Sequence, residues 1–131
     1  MSLDFLLMKK QKKAVSSDKL VKAIIQGMQE KKGKDIVSLD LSNVKNAICD
    51  YFVICHCDPD KHVFAVADSI DYEVEKKYGE SPMHKEGLEN AEWILLDYFN
   101  VVVHVFIKEK REFYNIEQLW ADAKIEAIES N

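Results

Sequence analysis

The sequence predicts an α/β (α+β) domain in which helices flank a single mixed sheet. Helix-like and strand-like apolar patterns follow one another in the order helix, strand, strand, helix, strand, strand, helix. The chain has 131 residues, 47% of them hydrophobic, which is enough for one core and too few for two full domains. We therefore expect one domain over residues 18–124, between a basic, flexible N-terminal tail (1–17) and a C-terminal tail (125–131).

The first three elements are predicted by their periodicity. Ser17 or Asp18 can cap a helix whose apolar stripe ends before Gly33. Residues 37–41 alternate between apolar and polar, which predicts a half-buried strand. The continuous apolar run at 51–55 is typical of a strand that is buried on both faces.

A second helix is expected to start at Asp58-Pro59, with the Asp side chain as cap and Pro in the first helical position, and to end at Gly79. Its apolar residues recur at helical spacing: Val63, Val66, Ala67, Ile70, Val74 and Tyr78.

The second half of the sequence predicts a loop, a hairpin and a last helix. Residues 81–90 form the loop, and strands at 93–98 and 101–108 are separated only by Phe99-Asn100, which implies an antiparallel hairpin. The last helix contains Ile116, Leu119, Trp120 and Ala123, and the residues after it are expected to fray.

Charge is unevenly distributed along the chain. The whole chain carries −5 and residues 1–17 carry +3, so the remaining 114 residues carry −8. An acidic body is poorly suited to binding a phosphate backbone, whereas it suits a basic protein partner. We expect at most a minor contact of the lysine-containing tail with RNA.

The compartment is predicted from the N-terminus and the cysteines. The apolar run at 3–8 precedes the lysines, the reverse of a secretory signal, and no stretch is long enough to cross a membrane. The three cysteines are an odd number close together, which favours reduced thiols. We therefore expect a cytoplasmic protein that does not contact a membrane.

The residues that common enzyme classes require are missing. The four glycines stand far apart, so neither type of glycine-rich phosphate loop is present, and no Ser lies in a nucleophile elbow. A nucleotidyltransferase needs paired carboxylates on a strand to hold magnesium. The strand at 93–98 has Asp97, but Phe99 stands at the position of the second carboxylate. We therefore expect no catalytic residues and no cofactor.

Cys55-His56-Cys57 is the one sequence that suggests a metal site. On a strand, the two cysteines point to one face and His56 to the other, so the three side chains do not converge. Structural zinc prefers four ligands at loop spacings. We favour buried thiols over a zinc site completed by His62 or His84, and expect no metal.

His104 interrupts the apolar strand at 101–107. It shares a face with Val102 and Phe106, and this face is mixed, so we expect His104 and Phe106 on a partly open sheet surface. Without a nucleophile or a paired acid beside it, a structural or interface role is favoured over acid–base catalysis.

Four motifs, in order along the chain, resemble the ribosomal silencing factor (Iojap) family. They are Asp50 to Ile54, Glu86-Gly87, the hairpin Trp93 to Phe106, and a closing motif from Arg111 to Trp120. The resemblance covers about residues 18–124. It implies a nucleotidyltransferase-like fold without that superfamily's catalytic carboxylates. It also implies a protein that binds a ribosomal protein on the intersubunit face of the large ribosomal subunit, blocks subunit association and represses translation.

The resemblance also suggests which residues bind the partner, since interfaces concentrate their energy in aromatic and Arg anchors ringed by polar groups. The candidates are Glu86, Trp93, Asp97, Tyr98, His104, Phe106, Arg111 and Tyr114. Tyr98 and His104 are preferred, as polar-tipped residues on the less aliphatic face.

For several of these residues, packing is an equal alternative. Trp93 and Tyr114 fit a core as well as an interface, Asp97 can instead hydrogen-bond backbone amides of the hairpin, and Trp120 is expected in the core. At the level of the whole protein, the rival hypothesis is a nucleotide-binding or nucleotidyltransferase-like enzyme. A homodimer formed through the exposed hairpin face is also compatible with the sequence.

The chain departs from the family pattern in two places. Residues 55–62 replace a small-residue turn, and Phe99-Asn100 stands where the family usually has Gly-Asp. A tight turn demands positive φ, which Gly adopts readily and Phe does not. We therefore expect a different or longer turn, with Phe99 exposed to a partner.

Overall fold

The computed structural model describes residues 15–129, and the residues at either end lie outside that description. Within it, helices and strands follow in the order α1 (Ser17–Glu30), β1 (Lys34–Asp40), β2 (Tyr51–His56), α2 (Asp60–Tyr78), β3 (His84–Glu86), β4 (Trp93–Asp97), β5 (Val101–Phe106), α3 (Lys108–Tyr114), α4 (Ile116–Leu119) and β6 (Lys124–Ala127).

All strands in the described part of the chain belong to one sheet, in the order β3-β4-β5-β2-β1-β6. The pairing of β2 with β5 is parallel and the other pairings are antiparallel. The sequence prediction of a single mixed sheet flanked by helices is therefore confirmed, as is the antiparallel β4–β5 hairpin. The likeness to nucleotidyltransferases stays a prediction.

One side of the sheet, called the helix side, is covered by α1 and α2 and holds the larger core. The predicted apolar stripe of α2 is buried, apart from a partly buried Tyr78. Gly27 lets the helices approach closely, because a Cβ there would lie 2.7 Å from the Cα of Ile70. The Ser69 hydroxyl donates to the Gly27 carbonyl at 2.8 Å at the same crossing. Each aliphatic side chain buried here contributes about 1.5–3 kcal/mol.

The opposite side of the sheet holds a second, smaller core. Its buried members are Leu39, Leu41, Phe52, Ile54, Val102, Phe106, Ile116 and Ala123. The loop after β1 and the segment around α4 supply its cover, since Val44, Ala47 and Trp120 also pack there. On this side of the sheet the residues of β5 are buried, whereas the residues of β4 on the same side are half exposed. Trp120, expected in the core, is half-buried at its margin.

The helix starts differ from the prediction. Ser16 is the N-cap of α1 and makes no side-chain cap hydrogen bond, while the Ser17 hydroxyl donates to Asp50 at 2.6 Å. Pro59, after a cis peptide bond, is the N-cap of α2 and not its first helical residue, and no side chain caps this helix either. The predicted end of α2 at Gly79 is confirmed.

The structure adds two short strands that the sequence prediction missed. The predicted loop at 81–90 contains β3. The expected last helix, with Ile116, Leu119, Trp120 and Ala123, is shorter than predicted: α4 ends at Leu119, and α3 precedes it, separated by Asn115, whose φ is 44°. Residues 124–127, assigned mostly to a fraying tail, form β6 and pair with β1.

The N-terminal tail predicted at 1–17 lies mostly outside the described residues. Its last residues are held in the fold, because the Asn100 side chain donates to the Val15 carbonyl at 3.4 Å and to the Ser17 hydroxyl at 2.7 Å. The predicted contact of this tail with RNA falls on residues outside the description. Within residues 15–129, no helix is both long and apolar enough to cross a membrane.

Candidate partner-binding surface

β4 presents half of its side chains to solvent on the side away from α1 and α2. Ile94 and Leu96 point into the helix-side core, whereas Trp93, Leu95 and Asp97 are half-buried on the other side. Paired residues of neighbouring strands share a face, so the pairing of Glu86 with Leu95 puts Glu86 beside them. Tyr114 completes the group, with its ring centroid 4.9 Å from that of Trp93. We call Glu86, Trp93, Leu95, Asp97 and Tyr114 the β4 surface.

Trp93 is the central aromatic residue of the β4 surface. Its indole stacks on Phe106, with ring centroids 4.8 Å apart and an interplanar angle of 28°. Its Nε1–H donates to Nδ1 of His104 at 3.1 Å. Rigid aromatic side chains that are packed from beneath and open above are typical anchors of protein interfaces.

His104 supports Trp93 from the second core and is 5% exposed. Burial lowers the pKa of His104 to about 4, so the ring is neutral at pH 7. Because Nδ1 accepts from Trp93, the proton of the neutral ring lies on Nε2, and this buried atom has no hydrogen-bond partner in the described part of the chain.

Asp97 fixes the end of the hairpin. Its Oδ1 accepts from the backbone N–H of Phe99 at 2.8 Å, so the predicted hydrogen bond to a hairpin amide is confirmed. Phe99 takes the positive φ of a tight turn, 77°, and is 73% exposed, as expected from its place in the turn.

Glu86-Gly87 brings the loop after β3 against the start of β4. Gly87 has φ 81°, and a Cβ there would lie 1.9 Å from the carbonyl oxygen of Trp93, so only Gly fits. Glu86 is exposed, and its carboxylate lies 2.7 Å from Nε2 of His84, a neighbour on the same edge strand.

Comparison with known proteins identifies the family. The family model described as ribosomal silencing factor during starvation matches residues 14–131. The chain belongs to this family. The ribosomal silencing factor of Halalkalibacterium halodurans is 36% identical over 115 residues, 88% of this chain and 97% of the relative. A crystal structure from Chromobacterium violaceum superposes with a TM-score of 0.76 at 31% identity, covering 82% of this chain and 88% of that one.

A more distant mouse protein, named mitochondrial assembly of ribosomal large subunit protein 1, is 30% identical over 73 residues, 54% of this chain and 32% of the mouse protein. The resemblance to ribosomal silencing factors that the four sequence motifs indicate is thus confirmed.

In this member of the family, two of the candidates on β5 are not on the surface. His104 is buried and Phe106 is 0% exposed, so the predicted open sheet surface at these residues is wrong. Alternation assigned their face correctly, but Trp93 and the distant segment around α4 cover it. The sequence offered no local signal for this cover.

Tyr98 is also buried, at 6% exposure, and lies in the helix-side core rather than on the face of His104. Its hydroxyl has no hydrogen-bond partner among residues 15–129, and burial raises the pKa of Tyr98 above the ordinary range. Strict alternation from Trp93 puts Tyr98 on the side of Ile94 and Leu96, and this pattern in the sequence predicts its burial.

Arg111 lies in α3 and connects this helix to β1 and β2. Its Nη1 donates to the Asp35 carbonyl at 2.7 Å, its Nε lies 2.8 Å from a Glu117 carboxylate oxygen, and its side chain is only 10% exposed. Nη1 also donates to Nδ1 of His56 at 2.9 Å. Burial, and then the Arg111 charge, hold the pKa of His56 below its usual range. In the free protein Arg111 is a structural residue.

Two surface residues were not among the predicted candidates. Leu95 lies at the centre of the β4 surface, and the sequence pattern places it only within the strand at 93–98. Phe113 is 77% exposed and contacts the ring of Tyr114 at 5.0 Å between centroids. An exposed aromatic on a short helix has no periodic signal that distinguishes it from a buried one.

The cysteine run follows the expected alternation. Cys55 and Cys57 lie buried in the helix-side core, and His56 points to Arg111 on the other side. Burial raises the pKa of the Cys57 thiol to about 12 and that of Cys55 still further. Among residues 15–129, no three His, Cys, Asp or Glu side chains are grouped so that they could hold a metal ion.

Proposed function

We propose that this chain is a ribosomal silencing factor that acts by binding rather than by catalysis. In this proposal it binds a ribosomal protein on the intersubunit face of the large ribosomal subunit, blocks subunit association and represses translation in the cytoplasm. Membership of the ribosomal silencing factor family is the observation that carries the proposal. The name of the mouse relative refers to the ribosomal large subunit, and this supports the choice of subunit.

The β4 surface is the docking site in this proposal. It combines the aromatic rings of Trp93 and Tyr114 with the aliphatic Leu95, and has carboxylates at Glu86 and Asp97. Interfaces are built in this way, with anchors inside and a polar rim. Exposed carboxylates at the rim and a body charge of −8 favour a basic partner, because complementary fields speed encounter and fix orientation.

Of the eight predicted residues, the proposal keeps Glu86, Trp93, Asp97 and Tyr114 as direct contacts. His104 and Phe106 support Trp93 from beneath. Tyr98 and Arg111 take no direct part, because the first lies in the helix-side core and the second is held by β1, β2 and Glu117. The homodimer stays a prediction.

Sedimentation with separated ribosomal subunits tests the docking site. We expect the wild-type protein to pellet with large subunits and not with small ones. Glu86→Lys reverses a rim charge and should weaken binding at least tenfold, with a larger loss at low salt, because exposed charges are screened by ions.

Glu75→Lys is the matched control, since it makes the same charge change at an exposed position of α2, on the other side of the sheet. It should bind within about twofold of wild type. Equal losses for the two variants would show that only net charge matters and would remove the β4 surface as the docking site. Absence of wild-type binding at micromolar concentration would contradict the proposed function itself.

A further inference from the structure

We propose that His104 is a positioning residue whose Nδ1 atom sets the orientation of the Trp93 indole in the β4 surface. The proposal rests on the proposed function, because the oriented indole is the anchor presented to the ribosomal protein. His104 itself does not touch the partner, being buried beneath Trp93.

Stacking alone does not determine which edge of the indole faces the partner. The torsion that turns a Trp ring is broad and roughly two-fold. A ring turned by 180° about it lies in the same plane, so the observed angle of 28° to Phe106 does not by itself fix which edge points outward. The indole has one hydrogen-bond donor, Nε1–H, and Nδ1 of His104 accepts from it at 3.1 Å. Flipping the ring would break this bond, so His104 selects one of the two orientations.

His104 is in turn held rigidly. The edge of Phe52 meets the imidazole at 4.8 Å between centroids, and the ring lies nearly parallel to Phe106, with an interplanar angle of 14°. Its strand is in the middle of the sheet, paired with Leu95 on one side and with Ile54 on the other. Phe52, Phe106 and the paired strands therefore fix the imidazole of His104, and its Nδ1 in turn fixes the orientation of the indole.

The ring nitrogens of His104 argue against a role in packing alone. Nε2–H of His104 is buried and meets no hydrogen-bond partner among the described residues, which costs free energy that an apolar side chain of similar size would avoid. What a His offers that Leu or Phe lacks is the acceptor at Nδ1. The pKa of about 4 keeps this acceptor free of a proton at pH 7.

The test compares His104→Asn with His104→Leu. The Asn side-chain oxygen lies near the position of Nδ1 and can accept from the indole, whereas Leu cannot. The indole N–H of Trp93 is followed by 15N NMR in the free protein, and Trp120→Phe identifies the second indole signal. Binding to large subunits is measured by sedimentation. Ile24→Val, a variant in the helix-side core on the other side of the sheet from His104 and Trp93, controls for loss of stability.

We expect His104→Asn to keep a slowly exchanging Trp93 indole proton and to bind within about threefold of wild type. His104→Leu should lose that protection and bind at least tenfold more weakly, while remaining folded. Ile24→Val should leave both the indole signal and subunit binding unchanged.

An unchanged Trp93 indole signal in His104→Leu would overturn the positioning role, whatever happens to subunit binding. Equal weakening by Asn and Leu would overturn it as well. If wild type fails to bind subunits but the indole results hold, the proposed function fails, together with the assignment of the indole as a partner anchor.

Discussion

At the scale of single residues, Phe99 occupies a backbone position that favours other residue types. Its φ is 77° and it is 73% exposed, so it gains little from burial while bearing a left-handed conformation. That conformation costs non-Gly residues roughly 1–2 kcal/mol, and Asn tolerates it better than most. We predict that Phe99→Asn raises the free energy of unfolding by about 0.5–1 kcal/mol and that Phe99→Val, which is β-branched, lowers it.

Urea unfolding of the three proteins measures this difference. If Phe99→Asn were less stable than Phe99→Val, the positive φ at residue 99 would not be what determines the effect of these substitutions on stability. A stabilised Phe99→Asn that also binds subunits more weakly would show that Phe99 is kept for contact with a partner.

His104 makes stability depend on pH. Its pKa is about 4 in the folded protein and near 6.5 when unfolded, so between these values the unfolded chain binds a proton that the folded chain does not. Stability should therefore be full above about pH 6.5 and fall as the pH drops towards 4, by up to about 3 kcal/mol. His56 adds a loss in the same direction, because its pKa is also lowered.

Urea unfolding at pH 7 and pH 5 checks this prediction, with His104→Asn as the reference. The difference between the two pH values should shrink in the variant, which has no imidazole at 104. An equal pH dependence in wild type and variant would contradict a buried, neutral His104.

At the scale of elements, strands with an apolar pattern were predictable and the edge strands were not. β2 and β5 carry continuous apolar runs, and β4 carries the motif that resembles the family. All residues of β3 and β6 are exposed, so neither strand shows the alternation that marks a half-buried strand. Their pairing depends on partners distant in the chain, which periodicity does not report.

β6 covers the outer edge of β1, and its removal tests the value of that cover. Four residue pairs join the strands, and the Ile128 N–H donates to the Ile36 carbonyl at 2.8 Å. A chain that ends at Ala123 should lose about 2 kcal/mol of stability, since a net hydrogen bond contributes roughly 0.5–1.5 kcal/mol. It should also self-associate through the bare edge of β1.

A chain that ends at Ile128 is the control, because it keeps β6 and should match the full chain. Urea unfolding and size-exclusion chromatography distinguish the two truncations. Equal behaviour would mean that β6 contributes nothing measurable to the sheet.

At the scale of the whole molecule, the sequence predicted the family and the hairpin that carries the candidate surface, but not which of its side chains are exposed. Four motifs indicated the family, and the hairpin carries the β4 surface. The ring of His104 is buried against Phe52, Trp93 and Phe106, which lie on three different strands, and burial of Tyr98 follows from alternation. A polar atom at the end of a side chain does not by itself predict exposure, because such an atom can be buried with a hydrogen-bond partner, as at Nδ1 of His104.

The central claim is that the protein keeps ribosomal subunits apart, and subunit joining measures it most directly. Purified large and small subunits are mixed at a magnesium concentration that favours whole ribosomes and are then separated on a sucrose gradient. We predict that prior addition of the protein to large subunits reduces the whole-ribosome peak in proportion to occupancy, and that the protein migrates with the free large subunits. An undiminished whole-ribosome peak at saturating protein, or comigration of the protein with whole ribosomes, would contradict the claim.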